Sequence, residues 1–364
     1  MVKKIAISGY YGFRNLGDEA ILYSMIETFR SLGDVQLVVL SNDPSCTERQ
    51  YGVKAVNRWK LREVFGAIRA SDILLSGGGS LLQDVTGAKS VSYYLGVIAL
   101  AKLLRKKVML YAQGIGPVHS DQSKLLIKYV LNKVDLITVR DPASKNLLIE
   151  LGVKKPEIKL VVDAVLGFDR NKVDKELGKM VLETAGIAVE GAPLVGVSLR
   201  DWQNRENYMR AVASTCDKLI EMGYRVVFLP FHFPRDIAPA RDTIKMMRHS
   251  EQALLLKQHM NVQEMLGVLS GLHMMIGMRL HSLIMGAVML IPVVGISYDP
   301  KIDGFMKAAY QPLAGRAETI TEEELWSTVE ATLNDREKNI LQSQKIIDEF
   351  REQALDTARM VMDL

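Results

Sequence analysis

The chain has 364 residues, 48% of them hydrophobic and 24% charged, a composition typical of a folded globular protein large enough for two domains. Its net charge of +4, from 46 Lys and Arg against 42 Asp and Glu, fits an anionic substrate; the lack of a long basic run interleaved with aromatics argues against nucleic acid. Cys46 and Cys216 have no metal-ligand spacing and are interpreted as free thiols.

The N-terminus shows no apolar segment followed by a small-residue cleavage site, so we predict no signal peptide. The longest apolar run, 283–294, contains Pro292 and is shorter than the ~18 residues of a membrane-spanning helix. We therefore expect a cytoplasmic protein, which can still dock on the inner face of a membrane.

Short apolar runs alternate with helical stretches through the first half of the chain. The predicted helix "DEAILYSMIETFRSLG" ends at Gly33, and the predicted strands are "KKIAISGY", "VQLVVLS", "SDILLSGGGS", "KVMLYAQGIGP", "VDLITVRD" and "IKLVVDAVLGF". Continuous Val, Ile and Leu runs are typical of strands buried on both faces, and their alternation with helices predicts a parallel sheet.

The pattern pauses at 171–191, which we interpret as a helix-like connector, and then restarts. Predicted strands of the second half lie in "APLVGVSLRDW", "YRVVFLPFHF", "HMMIGMRLHSLIMGAVML" and "IPVVGISY". We therefore predict an α/β protein with two Rossmann-like, doubly wound domains at 1–170 and 192–345. We expect a C-terminal helix at 346–364, which can return to the first domain.

Open α/β sheets bind ligands beyond the carboxyl ends of their strands, so residues directly after predicted strands are candidates. The first such loop, 8–22, lacks the glycine spacing of dinucleotide-binding and P-loop motifs but carries Asn15 and Asp18. A ligand-binding role competes here with a local one, in which Asp18 only caps the following helix.

The second loop, 74–84, contains Gly78 and Gly79 after an apolar strand. We expect a helix directly beyond, with Gln83 and Asp84 on its first turn, so that backbone N–H groups cradle an anion or a sugar. Packing alone is the other explanation for these glycines.

A third candidate is Arg140, which follows the strand-like "DLIT" and precedes Asp141. A binding role for Arg140 and a local pair in which Asp141 caps the next helix remain equal alternatives.

In the second half, cationic or titratable side chains follow the predicted strands: Arg200, His232 with Arg235, Arg279 with His281, and Lys301. Arg279, Leu280 and His281 interrupt an apolar segment at the start of a predicted helix, where the helix dipole favours an anion. We expect the substrate to be the partner of these charges, because a buried guanidinium without a partner is costly. The alternative is a satisfied core histidine.

No metal-binding motif and no Gly-x-Ser-x-Gly occurs in the sequence, so we expect neither a metal site nor an α/β-hydrolase.

Six segments in order, "GYYGFRNLGDEAIL", "SGGGSLLQD", "AQGIGP", "VRDPAS", "GVSLR" and "GMRLHSLIMGAV" with "ISYDPKI", resemble the polysaccharide pyruvyl transferase family. The resemblance extends from Gly9 to about Lys301. It is strongest to members that act on bacterial secondary cell-wall polymers, whose product anchors S-layer proteins.

The resemblance implies a GT-B-like fold of two Rossmann-like domains facing a cleft, phosphoenolpyruvate as donor, and no cofactor. The implied product is a pyruvate ketal on O4 and O6 of β-N-acetylmannosamine in a lipid-linked precursor. The Arg-Leu-His segment associated with donor binding in the family corresponds to Arg279, Leu280 and His281.

The residues fit this chemistry in named roles. Arg200, Arg279, Lys301 and Arg140 would hold the two anionic groups of the donor. His281 would act as the acid or phosphate partner and Asp18 as the base for a sugar hydroxyl, with the opposite assignment as the alternative.

The acceptor would bind at the first-half loops through Asn15, Gly78, Gly79 and Gln83. Two other functions remain as alternatives: a nucleotide-sugar glycosyltransferase of the same architecture, and a non-catalytic sugar-binding module.

Overall fold

The computed structural model describes residues 2–84, 88–187, 191–203 and 205–364, and the chain divides into two compact units. The first unit comprises Met1–Phe168 together with Phe350–Leu364, and the second comprises Asp169–Glu349. Each unit is built on a parallel sheet of its own.

The sheet of the first unit has eight strands, and their pairings are parallel. The strands are β1 (Lys3–Ser8), β2 (Val35–Ser41), β3 (Lys54–Asn57), β4 (Ile73–Ser76), β5 (Gly79–Leu82), β6 (Lys107–Ile115), β7 (Leu136–Val139) and β8 (Glu157–Leu160). Their order across the sheet is β3-β2-β1-β4-β6-β7-β8, with β5 also paired to β6. The order therefore reverses between β1 and β4.

Helices connect these strands and cover the sheet. They are α1 (Leu16–Leu32), α2 (Pro44–Tyr51), α3 (Leu61–Ala70), α4 (Ala88–Leu103), α5 (Asp121–Leu131) and α6 (Pro142–Glu150), with a 3₁₀ helix at Ala164–Gly167.

The sheet of the second unit has six parallel strands in the order β11-β10-β9-β12-β13-β14. They are β9 (Leu194–Ser198), β10 (Arg225–Phe228), β11 (Ala253–Leu255), β12 (Met274–Gly277), β13 (Val293–Ser297) and β14 (Leu313–Arg316). The order reverses between β9 and β12, which is the doubly wound arrangement of dinucleotide-binding domains.

The helices of the second unit are α7 (Lys175–Thr184), α8 (Arg205–Glu221), α9 (Ile237–Met246), α10 (Val262–Ser270), α11 (Leu280–Val288), α12 (Pro300–Ala308) and α13 (Glu322–Asn334). Helix α14 (Arg336–Asp363) begins in the second unit, and its residues from Phe350 onward belong to the first.

The central strands explain why the sequence shows apolar runs without polar alternation. Every residue of β4, β9, β12 and β13 is buried, because helices cover both faces of each sheet. The edge strands β8 and β14 are partly exposed and carry charged residues.

The stretch interpreted as a connector, 171–191, contains α7, which packs against α10 within the second unit. The two helices meet at a pair of glycines. A Cβ atom on Gly178 would lie 2.0 Å from the carbonyl carbon of Gly267, so this close approach requires glycine at both positions.

The predicted α/β class with two parallel sheets is confirmed. One predicted strand, 158–168, is shorter than expected: β8 ends at Leu160, and Asp163 caps the 3₁₀ helix that follows by accepting a hydrogen bond from the backbone N–H of Val165. Within the described residues, no helix is both long and apolar enough to cross a membrane.

Candidate functional site

Helix α1 begins directly after the loop that follows β1, and its first turn carries two predicted site residues. Asn15 is the N-cap, because its side chain accepts a hydrogen bond from the backbone N–H of Gly17 (3.3 Å). Asp18 accepts a hydrogen bond from Nδ2 of Asn15. The interpretation of Asp18 as the helix cap is therefore wrong, and its carboxylate lies near the positive end of the helix dipole.

The carboxylate of Asp18 faces the backbone that follows β4. A Cβ atom on Gly79 would lie 2.7 Å from Oδ1 of Asp18, and the φ of +92° at Gly79 also favours glycine. A Cβ atom on Gly78 would lie 2.8 Å from the side chain of Ile21. The glycines thus let the chain approach α1 closely, where the strand order of the first sheet reverses.

Glu19 is a second carboxylate at the start of α1, and it is buried (7% exposed). It accepts hydrogen bonds from the backbone N–H of Gly12 (2.7 Å) and the hydroxyl of Tyr51 (2.8 Å). Burial raises the pKa of Glu19, and these hydrogen bonds oppose the rise. Glu19 holds the loop after β1 against the helix.

Tyr11 fills the space between the loops that follow β1 and β4. A Cβ atom on Gly9 would lie 2.3 Å from its ring, and one on Gly77 would lie 2.2 Å from its hydroxyl. Burial, and then the charge of Asp18, raise the pKa of Tyr11 well above its usual value, so it is a neutral phenol. In the described parts of the chain, its hydroxyl has no hydrogen-bond partner.

The glycines after β4 lead into strand β5 rather than into a helix, and α4 begins only at Ala88. Gln83 follows β5. The carboxylate of Asp84 accepts hydrogen bonds from backbone N–H groups, including that of His119 (2.9 Å), which lower its pKa. The prediction that Gln83 and Asp84 lie on a first helical turn is wrong, because the two leucines of β5 are buried beside β6.

Arg140 forms a buried ion pair with Asp163, and its Nη2 donates to the hydroxyl of Ser80 (3.4 Å). Asp141 is the N-cap of α6 and accepts from the backbone N–H of Ser144 (2.7 Å). The capping alternative for Asp141 is therefore confirmed, whereas the partner of Arg140 is Asp163 rather than Asp141.

In the second unit, Arg279 and Asp236 form a bidentate ion pair. Nε and Nη2 of Arg279 donate to the two carboxylate oxygens at 2.6 and 2.5 Å. Asp236 is 2% exposed and also accepts from the backbone N–H of Phe231 and His232. This carboxylate explains how an apolar segment tolerates Arg279. The sequence predicts the substrate as the partner of Arg279, whereas the structure places Asp236 there.

Arg279 is also the N-cap residue of α11, and Leu280 and His281 form the first turn of that helix, as the sequence predicts. All three follow β12, where the strand order of the second sheet reverses. His281 is partly exposed.

Arg200 follows β9, on the other side of this reversal. Its Nη1 donates to the hydroxyl of Tyr298 (2.7 Å), and its guanidinium lies 4.7 Å from the Tyr298 ring centroid and 5.3 Å from that of Trp202. Lys301 lies on the first turn of α12, and its backbone N–H donates to the N-cap residue Asp299 (2.9 Å).

The pKa of His232 depends on the charges at this edge of the second sheet. Burial, and then the charges of Arg279 and Arg235, lower the pKa of His232 to about 4, with Arg200 adding to the effect and Asp236 opposing it. Its imidazole is therefore neutral at neutral pH.

The structure thus brings Asn15, Asp18 and Gly79 together in the first unit, and surrounds His232 with the charges of Arg200 and Arg279 in the second. Contributors that the sequence did not identify as site residues are Tyr11, Arg58 and Asp236. Their common signal is a position after a strand or on the helix turn that follows it. Among the described residues, no group of three or more His, Cys, Asp or Glu could hold a metal ion.

Residues 15–300 match the family described as polysaccharide pyruvyl transferase, which is well over half of the chain. The chain belongs to the polysaccharide pyruvyl transferase family. The chain is also similar to the amylovoran biosynthesis protein AmsJ of Erwinia amylovora. The two are 21% identical over 304 residues, which cover 80% of this chain and 72% of AmsJ.

Solved structures share the fold of this pyruvyl transferase family member. A putative UDP-N-acetylglucosamine 2-epimerase from Listeria monocytogenes has a TM-score of 0.68 at 12% identity, over 100% of this chain and 95% of the epimerase. Anabaena HepE in complex with UDP-glucose has a TM-score of 0.66 at 11% identity, over 99% and 98% of the two chains. The fold is therefore GT-B-like, with two parallel-sheet α/β domains.

Proposed function

We propose that the protein transfers the pyruvyl group of phosphoenolpyruvate to a saccharide, forming a cyclic pyruvate ketal and releasing phosphate. Family membership supports transfer of pyruvate to a polysaccharide. The observation that carries the choice of donor is that Arg200 and Arg279 follow β9 and β12, the two strands between which the order of the second sheet reverses. Phosphoenolpyruvate has a phosphate and a carboxylate, and guanidinium groups bind both through charge-assisted hydrogen bonds.

The proposed donor site lies at the carboxyl edge of the second sheet. Arg200 and Lys301 bind the anionic groups, and Arg279 contributes the part of its guanidinium that Asp236 does not use. Leu280 and His281 border the donor at the N-terminus of α11, where the helix dipole favours a negative charge.

The proposed reaction begins with transfer of a proton from His281 to the methylene carbon C3 of phosphoenolpyruvate, which leaves a cationic centre at C2. A sugar hydroxyl attacks C2 and gives its proton to Asp18. The C2–O bond to phosphate then breaks, and phosphate leaves with the bonding electrons. A second hydroxyl closes the ketal ring and gives its proton to the imidazole of His281, which restores the acid. The roles of His281 and Asp18 can also be exchanged.

The proposed acceptor site lies at the carboxyl edge of the first sheet, with Asn15, Gly78, Gly79 and Gln83 around Asp18. The proposed acceptor is β-N-acetylmannosamine, pyruvylated at O4 and O6, in a lipid-linked precursor of a secondary cell-wall polymer. The pyruvylated polymer would anchor S-layer proteins. A lipid-linked acceptor also implies a cytoplasmic enzyme in peripheral contact with the inner membrane surface.

The test is phosphate release from phosphoenolpyruvate with a synthetic N-acetylmannosaminyl disaccharide as acceptor, combined with mass spectrometry of the saccharide. We expect acceptor-dependent release and a saccharide that gains one pyruvate ketal. Arg200→Ala should raise the KM for phosphoenolpyruvate about tenfold or more, whereas the exposed Arg248→Ala should leave it unchanged. Turnover with a different sugar would retain the reaction and reject the proposed acceptor.

A nucleotide-sugar glycosyltransferase is the second candidate, because HepE was solved with UDP-glucose and shares the fold. Likeness at 11% identity supports only the fold, so this candidate rests on architecture. Release of UDP from UDP-sugars, without any use of phosphoenolpyruvate, would favour it.

A further inference from the structure

Arg58 and Trp59 directly follow β3, at the same edge of the first sheet as the loops after β1 and β4. Arg58 is 5% exposed, and its Nη1 donates to the backbone carbonyl of Gly9 (2.6 Å). Its Nε has no hydrogen-bond partner within the described residues. The buried guanidinium is thus tied to the loop that leads to Asp18.

Four aromatic rings surround this guanidinium, and we call them the aromatic platform. The distances from Cζ of Arg58 to the ring centroids are 4.3 Å for Tyr93, 5.1 Å for Trp59, and 5.3 Å for both Phe13 and Tyr94. Cation–π attraction at these distances holds the rings in place.

Trp59 is the exposed member of the aromatic platform, with 62% of its surface accessible. Its orientation is nevertheless fixed. The indole N–H donates to Oδ1 of Asn42 (2.8 Å), and the ring packs against Tyr93 at a centroid distance of 5.5 Å. The backbone N–H of Asn42 donates to the carbonyl of Tyr11 (3.0 Å). An immobilised indole that leaves a broad face open to solvent is suited to binding a flat apolar surface.

The platform is continuous with the proposed acceptor site. Both Asp18 and Arg58 act on Tyr94: burial raises its pKa to about 12, Arg58 opposes the rise, and Asp18 adds to it. The Tyr94 ring lies 5.3 Å from the Arg58 guanidinium, and Phe13, another ring of the platform, lies in the loop that ends at Asn15. The platform therefore adjoins the residues around Asp18.

We propose that the exposed face of Trp59 is a saccharide subsite, on which a pyranose ring of the acceptor stacks through its C–H groups. The proposal rests on the proposed function for the identity of the acceptor. Because Asp18 takes the reacting sugar, the stacked ring is a neighbouring unit of the same chain. The preferred substrate is thus an oligosaccharide of two or more sugars, and a single sugar binds more weakly.

The experiment measures saccharide binding by titration NMR in the absence of phosphoenolpyruvate, so that it does not depend on turnover. The probes are a synthetic N-acetylmannosaminyl disaccharide and the matching monosaccharide methyl glycoside. We expect the parent protein to bind the disaccharide about tenfold more tightly than the monosaccharide, which corresponds to about 1.4 kcal/mol. Trp59→Ala should remove this difference, and Trp59→Phe should retain most of it.

The matched control is Tyr129→Ala, because Tyr129 is an equally exposed aromatic (64%) on α5 of the same unit. It should leave both affinities unchanged. Thermal unfolding of each variant shows whether the fold is intact. We expect an intact fold in the Trp59 variants, because this side chain is exposed.

Two results would overturn the subsite: a parent protein that prefers neither saccharide, and a Trp59→Ala variant with parental disaccharide affinity. In the second case, co-sedimentation with anionic phospholipid vesicles is measured as well, and its loss in Trp59→Ala would assign Trp59 to a membrane contact. Loss of disaccharide binding in Trp59→Ala, in a protein that makes no ketal from phosphoenolpyruvate, would support the subsite and reject the proposed function. If Trp59→Ala carries out pyruvylation with an unchanged KM for the acceptor, the proposed function is supported and the subsite is rejected.

Discussion

In the first unit the strand order reverses between β1 and β4, and the loops at that point hold the carboxylates of Asp18 and Glu19. In the second unit the order reverses between β9 and β12, and the loops there hold Arg200 and Arg279. The residues at these two reversals therefore differ in charge. Carboxylates lie beside glycines and aromatic rings in the first unit, whereas the guanidinium groups of Arg200 and Arg279 lie at the reversal in the second. The strand order fixes where a ligand can bind, and the loops decide which ligand it is.

This contrast suits a reaction with one anionic and one neutral substrate. An anionic donor gains from the cationic loops of the second unit, and a sugar hydroxyl that must lose a proton gains from a carboxylate in the first. In both units a buried acid also has a structural role: Glu19 holds a loop, and Asp236 holds Arg279.

The largest expected effect comes from removing a charge of the second unit. Arg279→Ala leaves Asp236 buried at 2% exposure without its ion-pair partner, which should lower the free energy of unfolding by about 3–5 kcal/mol. Urea denaturation followed by circular dichroism measures it. Arg210→Ala, which breaks an exposed pair with Glu206 in the same unit, should cost less than about 1 kcal/mol. Equal losses in the two variants would mean that Asp236 does not depend on Arg279.

The corresponding change in the first unit should affect catalysis instead of stability. Asp18→Asn removes the proposed base, and pyruvyl transfer should fall by about 10²–10⁴-fold. Unfolding free energy should change by no more than about 0.5 kcal/mol, because Asp18 is partly exposed and does not cap the helix. Asp121→Asn, at an exposed position of the same unit, is the control. An Asp18→Asn enzyme with parental kcat would remove Asp18 from the chemistry.

A smaller effect should follow from loosening the loop that Glu19 holds. Tyr51→Phe deletes the hydroxyl that donates to the buried carboxylate of Glu19, and should lower the unfolding free energy by about 1–2 kcal/mol. Thermal and urea unfolding measure the loss. Tyr129→Phe, at an exposed hydroxyl, provides the comparison. A Tyr51→Phe protein as stable as the parent would indicate that Gly12 alone satisfies this carboxylate.

The remaining expected effect is a pH dependence that His232 contributes in the second unit. The unfolded His232 imidazole takes up a proton near pH 6.5, whereas the folded one does so near pH 4. The unfolded chain binds more protons between these values, so the contribution of His232 to stability is complete above pH 6.5 and is lost as the pH falls towards 4.

Histidine NMR titration and urea denaturation across this range test the expectation. The stability of the His232→Asn variant should vary less with pH than that of the parent. A folded His232 that titrates near pH 6.5 would show that neither burial nor the guanidinium groups lower its pKa.

The sequence predicted the buried architecture well, because central strands such as β9 and β13 are continuous apolar runs between helices. It omitted β3, whose residues KAVN include Lys54 and Asn57 and show no apolar pattern. Because β3 was omitted, Arg58 and Trp59 were not recognised as residues that follow a strand. It also placed a helix after Gly79, where tertiary pairing with β6 favours a strand.

Positions of site residues were more predictable than their partners. The rule that ligands bind after strands located Asp18, on the first turn of α1, and Arg200 and Arg279, after β9 and β12, at the two reversals of strand order. The ion pair of Arg279 with Asp236 joins residues 43 positions apart, and no local pattern connects them. Pairings of this kind depend on which loops the sheet brings together.

The most direct test of the account follows C2 of phosphoenolpyruvate, labelled there with carbon-13, by NMR during incubation with the protein and the disaccharide acceptor. The account predicts that the label appears in a quaternary ketal carbon bound to the saccharide, while phosphate is released in equal amount. Label that remains in phosphoenolpyruvate, or appears only in free pyruvate whether or not the acceptor is present, would contradict it.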